Sequence, residues 1–200
     1  MERKYVMKTK YRLITTIVLV FTVQNLLPQI NYYPTTKTFY EDGYVYQCDI
    51  DESGMITLYN KDNSFTYAHY ANKDDTRVPS DVLLGRVQLI EDDNWTRSKC
   101  GEIANNVFSS SERVNVANGE YFVRLIVNPF TGKVDEVFFR FMYNDPFVTV
   151  PMSTFRKLEL ALKEKIWFTV TPAGKKLKFI LRGWRQEVSP TPQLEKPELL

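Results

Sequence analysis

The alternation of apolar and polar positions is cleanest between Gly119 and Val188, and the rest of the chain is best read around that stretch. Tyr121, Val123, Leu125 and Val127 fall on one face of an extended segment and Phe122, Arg124 and Ile126 on the other, because strand side chains alternate. The first set is wholly apolar and is the face expected to be buried. Asn128-Pro129-Phe130-Thr131-Gly132-Lys133 then supplies a turn, since proline presets the φ of a turn corner and glycine accepts positive φ. Val134 to Met142 returns with Val137, Phe139 and Phe141 on one side, which predicts a half-exposed antiparallel hairpin. Asn144-Asp145-Pro146 stops the second strand. Beyond Pro151, Phe155, Leu158, Leu162 and Ile166 recur at offsets of three and four, the spacing of one helical stripe, with Ser153 or Thr154 available as cap. Arg156, Lys157, Glu159, Lys163 and Glu164 take the polar face, and Glu159 precedes Lys163 by four residues, a mildly favourable pair. This helix is expected to cover the hairpin's apolar face. Trp167 to Val170 resumes a β composition, Pro172-Ala173-Gly174 turns, and a further strand is expected within Lys176–Val188. The unit 119–188 thus reads β-β-α-β(-β).

Upstream, residues 35–70 carry four short β-type runs: Lys37–Tyr40, Tyr44–Ile50, Met55–Tyr59 and Phe65–Tyr70. Asp42-Gly43, Ser53-Gly54 and Asp62-Asn63 separate them at intervals suited to hairpins, which predicts a β-meander. A helix is predicted over 93–108, with Trp95, Cys100, Ile103, Ala104, Val107 and Phe108 along one stripe. Gly101 lies inside that stripe against helix propensity, and Ser109-Ser110-Ser111 ends it. The fold class is α+β: an antiparallel sheet with two main helices, the meander forming a sublayer beside the C-terminal unit.

Residues 1–29 are read as a leader. Five basic residues up to Arg12 precede an uncharged apolar run from Leu13 to Val23, the composition of a secretory signal peptide. An uncleaved anchor is the alternative, because Leu27 and Gln29 are not the small residues of a cleavage site. Residues 30–188 are expected to form a single domain, and 189–200, with Pro190, Pro192 and Pro197, a disordered tail. The 44% hydrophobic and 14% aromatic content suits a packed core. The leader's five basic residues against Glu2 account for the chain's formal charge of +2 and leave the remainder at −2. That balance carries no drive toward nucleic acid. The expected location is the periplasm or the outside of the cell, with no membrane span in the chain once the leader is cleaved.

Candidate chemistry is sparse. His69, the single histidine, rules out a His-rich metal site and lies in a Tyr-rich run where a solvent-facing role is expected. Asp74-Asp75 and Asp92-Asp93 are sequence neighbours, whereas acid/base pairs face each other across a substrate. Asp49, Asp51, Glu52 and Gly54 lack the spacing and terminal glutamate of a calcium loop, and Gly132-Lys133 lacks the upstream glycine of a phosphate loop. No catalytic, cofactor-binding or metal-binding residue is therefore assigned. The tyrosines between Tyr32 and Tyr70 form either an aromatic binding platform or, the preferred reading, ordinary strand residues with wet hydroxyls. Cys48 and Cys100 are either two buried free thiols or, in an oxidising compartment, one disulfide worth roughly 3–4 kcal/mol on the chain-entropy model.

The order Tyr121–Val127, a turn with Gly132-Lys133, Val134–Met142, helix Thr154–Ile166, then Gly174-Lys175-Lys176 before a final strand resembles the C-terminal domain of TonB. The resemblance spans about the last third of the chain, and without a Pro-rich spacer it implies no energy transduction. The chain beyond the leader is similar to a family of short uncharacterised exported proteins of Bacteroides-type bacteria. That similarity rests on the leader running into Asn31–Phe39, on Cys48 and on Thr131–Phe139. It implies export and no established activity. The function expected is a non-enzymatic interaction module of the bacterial envelope, binding an envelope protein or glycan and pairing a partner strand with an exposed sheet edge. The alternatives are an accessory hydrolase acting on carbohydrate or peptide through carboxylates, and an inhibitor-like domain presenting the loop Tyr70–Pro79.

Overall fold

The structure is a computed structural model that describes residues 30–91, 94–117 and 119–190. The leader, Asp92-Asp93 and most of the tail lie outside the described residues. The chain divides into two units, Met1–Ile30 and Asn31–Leu200, and the sheet and its helices belong to the second.

Among the described residues six strands make one antiparallel sheet: β1 (Lys37–Glu41), β2 (Tyr44–Ile50), β3 (Met55–Asn60), β4 (Glu120–Val127), β5 (Val134–Met142) and β6 (Ile180–Glu187), in the order β1-β2-β3-β5-β4-β6. Two helices of fourteen residues, α2 (Asn94–Val107) and α4 (Met152–Lys165), accompany two short ones, α1 (Ser80–Leu83) and α3 (Ser110–Asn115), among the described residues. The expected faces are the observed ones. Tyr121, Val123, Leu125, Val127, Val137, Phe139 and Phe141 are all buried, and Phe155, Leu158, Leu162 and Ile166 of α4 close over them. Phe155 is the centre of this layer. Its ring lies 5.0 Å from that of Phe139 and 5.5 Å from that of Phe141, centroid to centroid, with Phe108, Tyr33 and Tyr121 around it at 6.2–6.5 Å.

The turn between β4 and β5 forms for the expected reasons. Asn128 Oδ1 accepts from the Phe130 and Thr131 amides, and Gly132 adopts φ 71°. A Cβ on Gly132 would sit 1.9 Å from the Phe168 carbonyl oxygen, so a side chain is excluded by space as well as by backbone angle.

Three expectations are corrected. The meander is no sublayer: β3 pairs with β5 from Met55↔Met142 to Tyr59↔Phe138, which fuses the two halves into one sheet. The Phe65–Tyr70 run is not a strand but crosses the sheet's other face. There Glu136 accepts from the Ser64 and Phe65 amides at 2.7 and 3.0 Å, and Phe65 and Tyr70 pack on Phe179 at 4.5 and 5.6 Å. A small apolar patch of Ile126, Phe138 and Phe179 demands this cover, and a loop satisfies it without adding a strand. Thirdly, Arg156 and Glu159 of the polar helix face are buried, beneath Tyr44 and Tyr46. The expected caps are also reassigned. α4 starts at Pro151 without a side-chain cap, and Thr154 donates to Glu112 Oε1 at 2.6 Å, tying α4 to the Ser109–Glu112 capping box of α3.

Candidate functional site: the free edge of the last strand

Strand β6 ends the sheet, and among the described residues its outer edge pairs with no other strand. One residue on that edge is already satisfied by a side chain: the Tyr70 hydroxyl accepts from the Leu181 amide at 3.3 Å and donates to the Leu181 carbonyl at 3.2 Å. Both backbone groups of a residue in an antiparallel strand point the same way and alternate along the chain. With Leu181 facing outward, the next edge-facing residues are Gly183, Arg185 and Glu187. The Glu187 carbonyl takes the Gln186 side-chain amide at 2.9 Å. The backbone groups of Gly183 and Arg185 have no partner among the described residues.

A cleft lies at each end of this edge. The first, about 730 Å³, lies between Leu89–Glu91 and Ile180–Arg182, and the second, about 870 Å³, between α2 and Arg185–Pro190. Asn94, at the start of α2, lines both. Gly101 of α2 faces the second cleft, and a Cβ there would come within 3.2 Å of the Gln186 side-chain nitrogen. Asn105 fixes the far end by accepting from the Ser189 amide at 2.8 Å. Two of the carboxylates lining the cleft are held in ion pairs, Glu102 by Lys99 at 2.6 Å and Glu120 by Arg185 at 3.2 Å. The opposite edge, β1, is five residues long and carries Lys37, a device that discourages pairing.

The residues singled out from sequence serve the scaffold. Asp51 Oδ1 accepts from the Ser53 amide and hydroxyl and from the Met55 amide, holding the β2–β3 turn. Asp74 accepts from Thr76, Asp75 pairs with Lys178 at 2.5 Å, and His69 is exposed in a loop. The tyrosines divide: Tyr33 and Tyr46 are core, whereas the hydroxyls of Tyr59 and Tyr67 both donate to Asp49 Oδ2, at 2.9 and 2.8 Å. Trp95 faces outward against Trp167 at 5.2 Å and is not part of the buried stripe. Cys48 and Cys100 are free buried thiols. Cys48 is on β2 and Cys100 on α2. Burial pushes the two thiols up, to about 11 and about 12.

Two carboxylates make stability depend on pH. Burial alone would raise Asp49, but hydrogen bonds from Tyr67, Gln47 and Tyr59, with the charge of Lys61, outweigh it and hold the acid below its usual range. Glu112 is lowered against burial in the same way by Ser109 and Thr154. A depressed folded-state value stabilises above the unfolded value and is lost as pH falls through the folded one. Urea midpoints are therefore expected to hold from neutrality down to about pH 5 and to fall below about pH 4. The Asp49→Asn variant should show a shallower fall; an unchanged slope would remove Asp49 from this account.

The edge residues were missed by sequence reasoning, although Leu181–Glu187 carries the signature of an edge strand, with Arg182, Arg185 and Glu187 breaking the apolar pattern. The fold is thus a helix-layered antiparallel sheet with one long edge left open beside a cleft. The chain belongs to the family described as DUF5043, domain of unknown function, whose model matches residues 29–184. It is similar to the crystal structure of a DUF5043 family protein from Bacteroides uniformis ATCC 8492, with 34% sequence identity and a TM-score of 0.70 over 80% of this chain and 95% of that one. No curated protein matches.

Proposed function

We propose that this protein is an exported, non-enzymatic binding module of the bacterial envelope that receives an extended peptide segment as a seventh strand against β6. The observation that carries the reading is the unpaired, edge-facing backbone of Gly183 and Arg185, between two clefts and next to a position where Tyr70 already supplies what a strand would supply. In strand addition the main chain provides affinity and the flanking walls provide selectivity. Here the walls are α2 on one side and the Tyr70 segment on the other. The apolar, basic leader supports the exported location.

The test uses random octapeptides displayed on phage, selected on the full chain and then synthesised for fluorescence anisotropy. Arg185→Pro removes an outward amide while leaving the ladder to β4 intact, and Arg185→Gln removes the side chain alone. Selected peptides are expected to lose about tenfold or more in affinity on Arg185→Pro relative to Arg185→Gln. They should also slow amide exchange at Gly183 and Arg185. Failure to enrich any peptide, or equal binding to both variants, overturns the reading.

A further inference from the structure

The solvent-facing side of the sheet beside this edge carries three arginines around one ring. The pairing register places Thr57, Arg140, Phe122 and Arg185 in a row across β3, β5, β4 and β6, and Tyr59, Phe138, Arg124 and Gly183 in the next. The guanidinium carbons of Arg124 and Arg185 lie 5.5 and 5.2 Å from the Phe122 ring centre. Arg140 is the register partner of Phe122 on the other side, close enough to Arg124 for the two charges to repel.

The same face carries Glu120, Glu136 and Glu187, and Glu136 is taken up by the Ser64 and Phe65 amides. Arg185 is paired with Glu120 at 3.2 Å, and Arg140 reaches Asp51 only at 3.9 Å, its Nε buried and without a hydrogen-bond partner. The Arg124 side chain makes no ion pair and no hydrogen bond among the described residues. Its stem crosses β6 where Gly183 leaves room: a Cβ on Gly183 would lie 2.6 Å from Arg124 Cδ. The Arg124 side chain therefore leans over β6 toward the free edge, and the next strand position is only about 4.8 Å farther out.

We infer that the segment added to β6 carries an aspartate or glutamate on this face opposite Gly183, where Arg124 receives its carboxylate with Arg185 alongside. The inference rests on the strand-addition reading and names the chemistry of its partner. Residues directly across a sheet interact through their side chains, opposite charges favourably and like charges unfavourably. The glycine has no side chain of its own to offer, so the cross-strand contact at that position passes to Arg124. The same arrangement rejects lysine or arginine at that place.

The test selects the same octapeptide library on the wild-type chain and on Arg124→Gln. Acidic residues should be enriched at one position on the wild type and not on the variant. Replacing that Glu by Gln in the synthetic peptide should weaken binding about fivefold on the wild type and less than twofold on Arg124→Gln, with the difference shrinking at high salt. No acidic preference, or an equal loss on both proteins, overturns the inference while leaving strand addition standing. Equal binding to Arg185→Pro and Arg185→Gln would instead remove strand addition itself.

Discussion

Replacing Phe155 by alanine is expected to lower the unfolding free energy by about 3–5 kcal/mol, the range for emptying a large aromatic from a closed core. The residue is fully buried and sits among five other rings, two from β5, one from β4, one after α2 and one ahead of β1. Those partners come from segments far apart in the chain, so the gap cannot collapse by moving a single element. Urea denaturation of the full chain measures the loss. Trp167→Ala serves as control: Trp167 is 54% exposed, and its removal should cost well under half as much. A Phe155→Ala loss below about 1 kcal/mol would mean that α4 does not close the core.

The second large effect concerns the buried charges. Glu159 is 1% exposed, and its Oε2 accepts from Arg156 Nη1 at 3.2 Å and from the Tyr46 hydroxyl. Its Oε1 has no hydrogen-bond partner and faces Lys163 Nζ at 3.8 Å. The Tyr44 ring lies over the Arg156 guanidinium, 3.2 Å from ring centre to Cζ, and shields the pair from water. Arg156→Met removes the main counter-charge and leaves a carboxylate buried, which is expected to cost about 3–5 kcal/mol. Adding Glu159→Leu and Tyr46→Phe removes the stranded polar groups and should recover most of that loss, because a buried pair repays little more than its own desolvation. Chemical denaturation of the single and triple variants decides the matter. A triple variant as unstable as Arg156→Met would show that the cluster contributes packing that apolar side chains cannot replace.

This cluster also shows where pattern reading stops. Helical periodicity placed Arg156 and Glu159 on the polar face of α4, and within the helix they are there. Whether that face meets water depends on what else arrives, and Tyr44 and Tyr46 come from a strand about 110 residues earlier. The Phe65–Tyr70 run is a similar case. Its β-type composition suits a half-buried surface, and the chain provides one by laying these residues flat over Ile126, Phe138 and Phe179. Composition recorded the environment correctly but not the backbone that reaches it.

The candidate site was legible only in outline. An exposed sheet edge follows from an open sheet, but its position depends on strand order, and the ordering contacts are β3 with β5 and β4 with β6. Neither pairing joins neighbours in the chain. The charges in the run Leu181–Glu187 mark an edge strand, but nothing in it states that its partner is β4, or that Arg124 lies across Gly183.

The amino-acid sequence by itself determined the inward faces of β4, β5 and α4, the turn at Gly132 and the α+β class, because periods of two and of 3.6 residues and the φ of one glycine are local properties. Tertiary structure decided the rest: the joining of the meander to the hairpin, the burial of Arg156 with Glu159, and the exposure of one side of β6. Each of these is set by which distant segments meet, and a one-dimensional pattern of polarity says which side of an element is greasy without saying what will cover it.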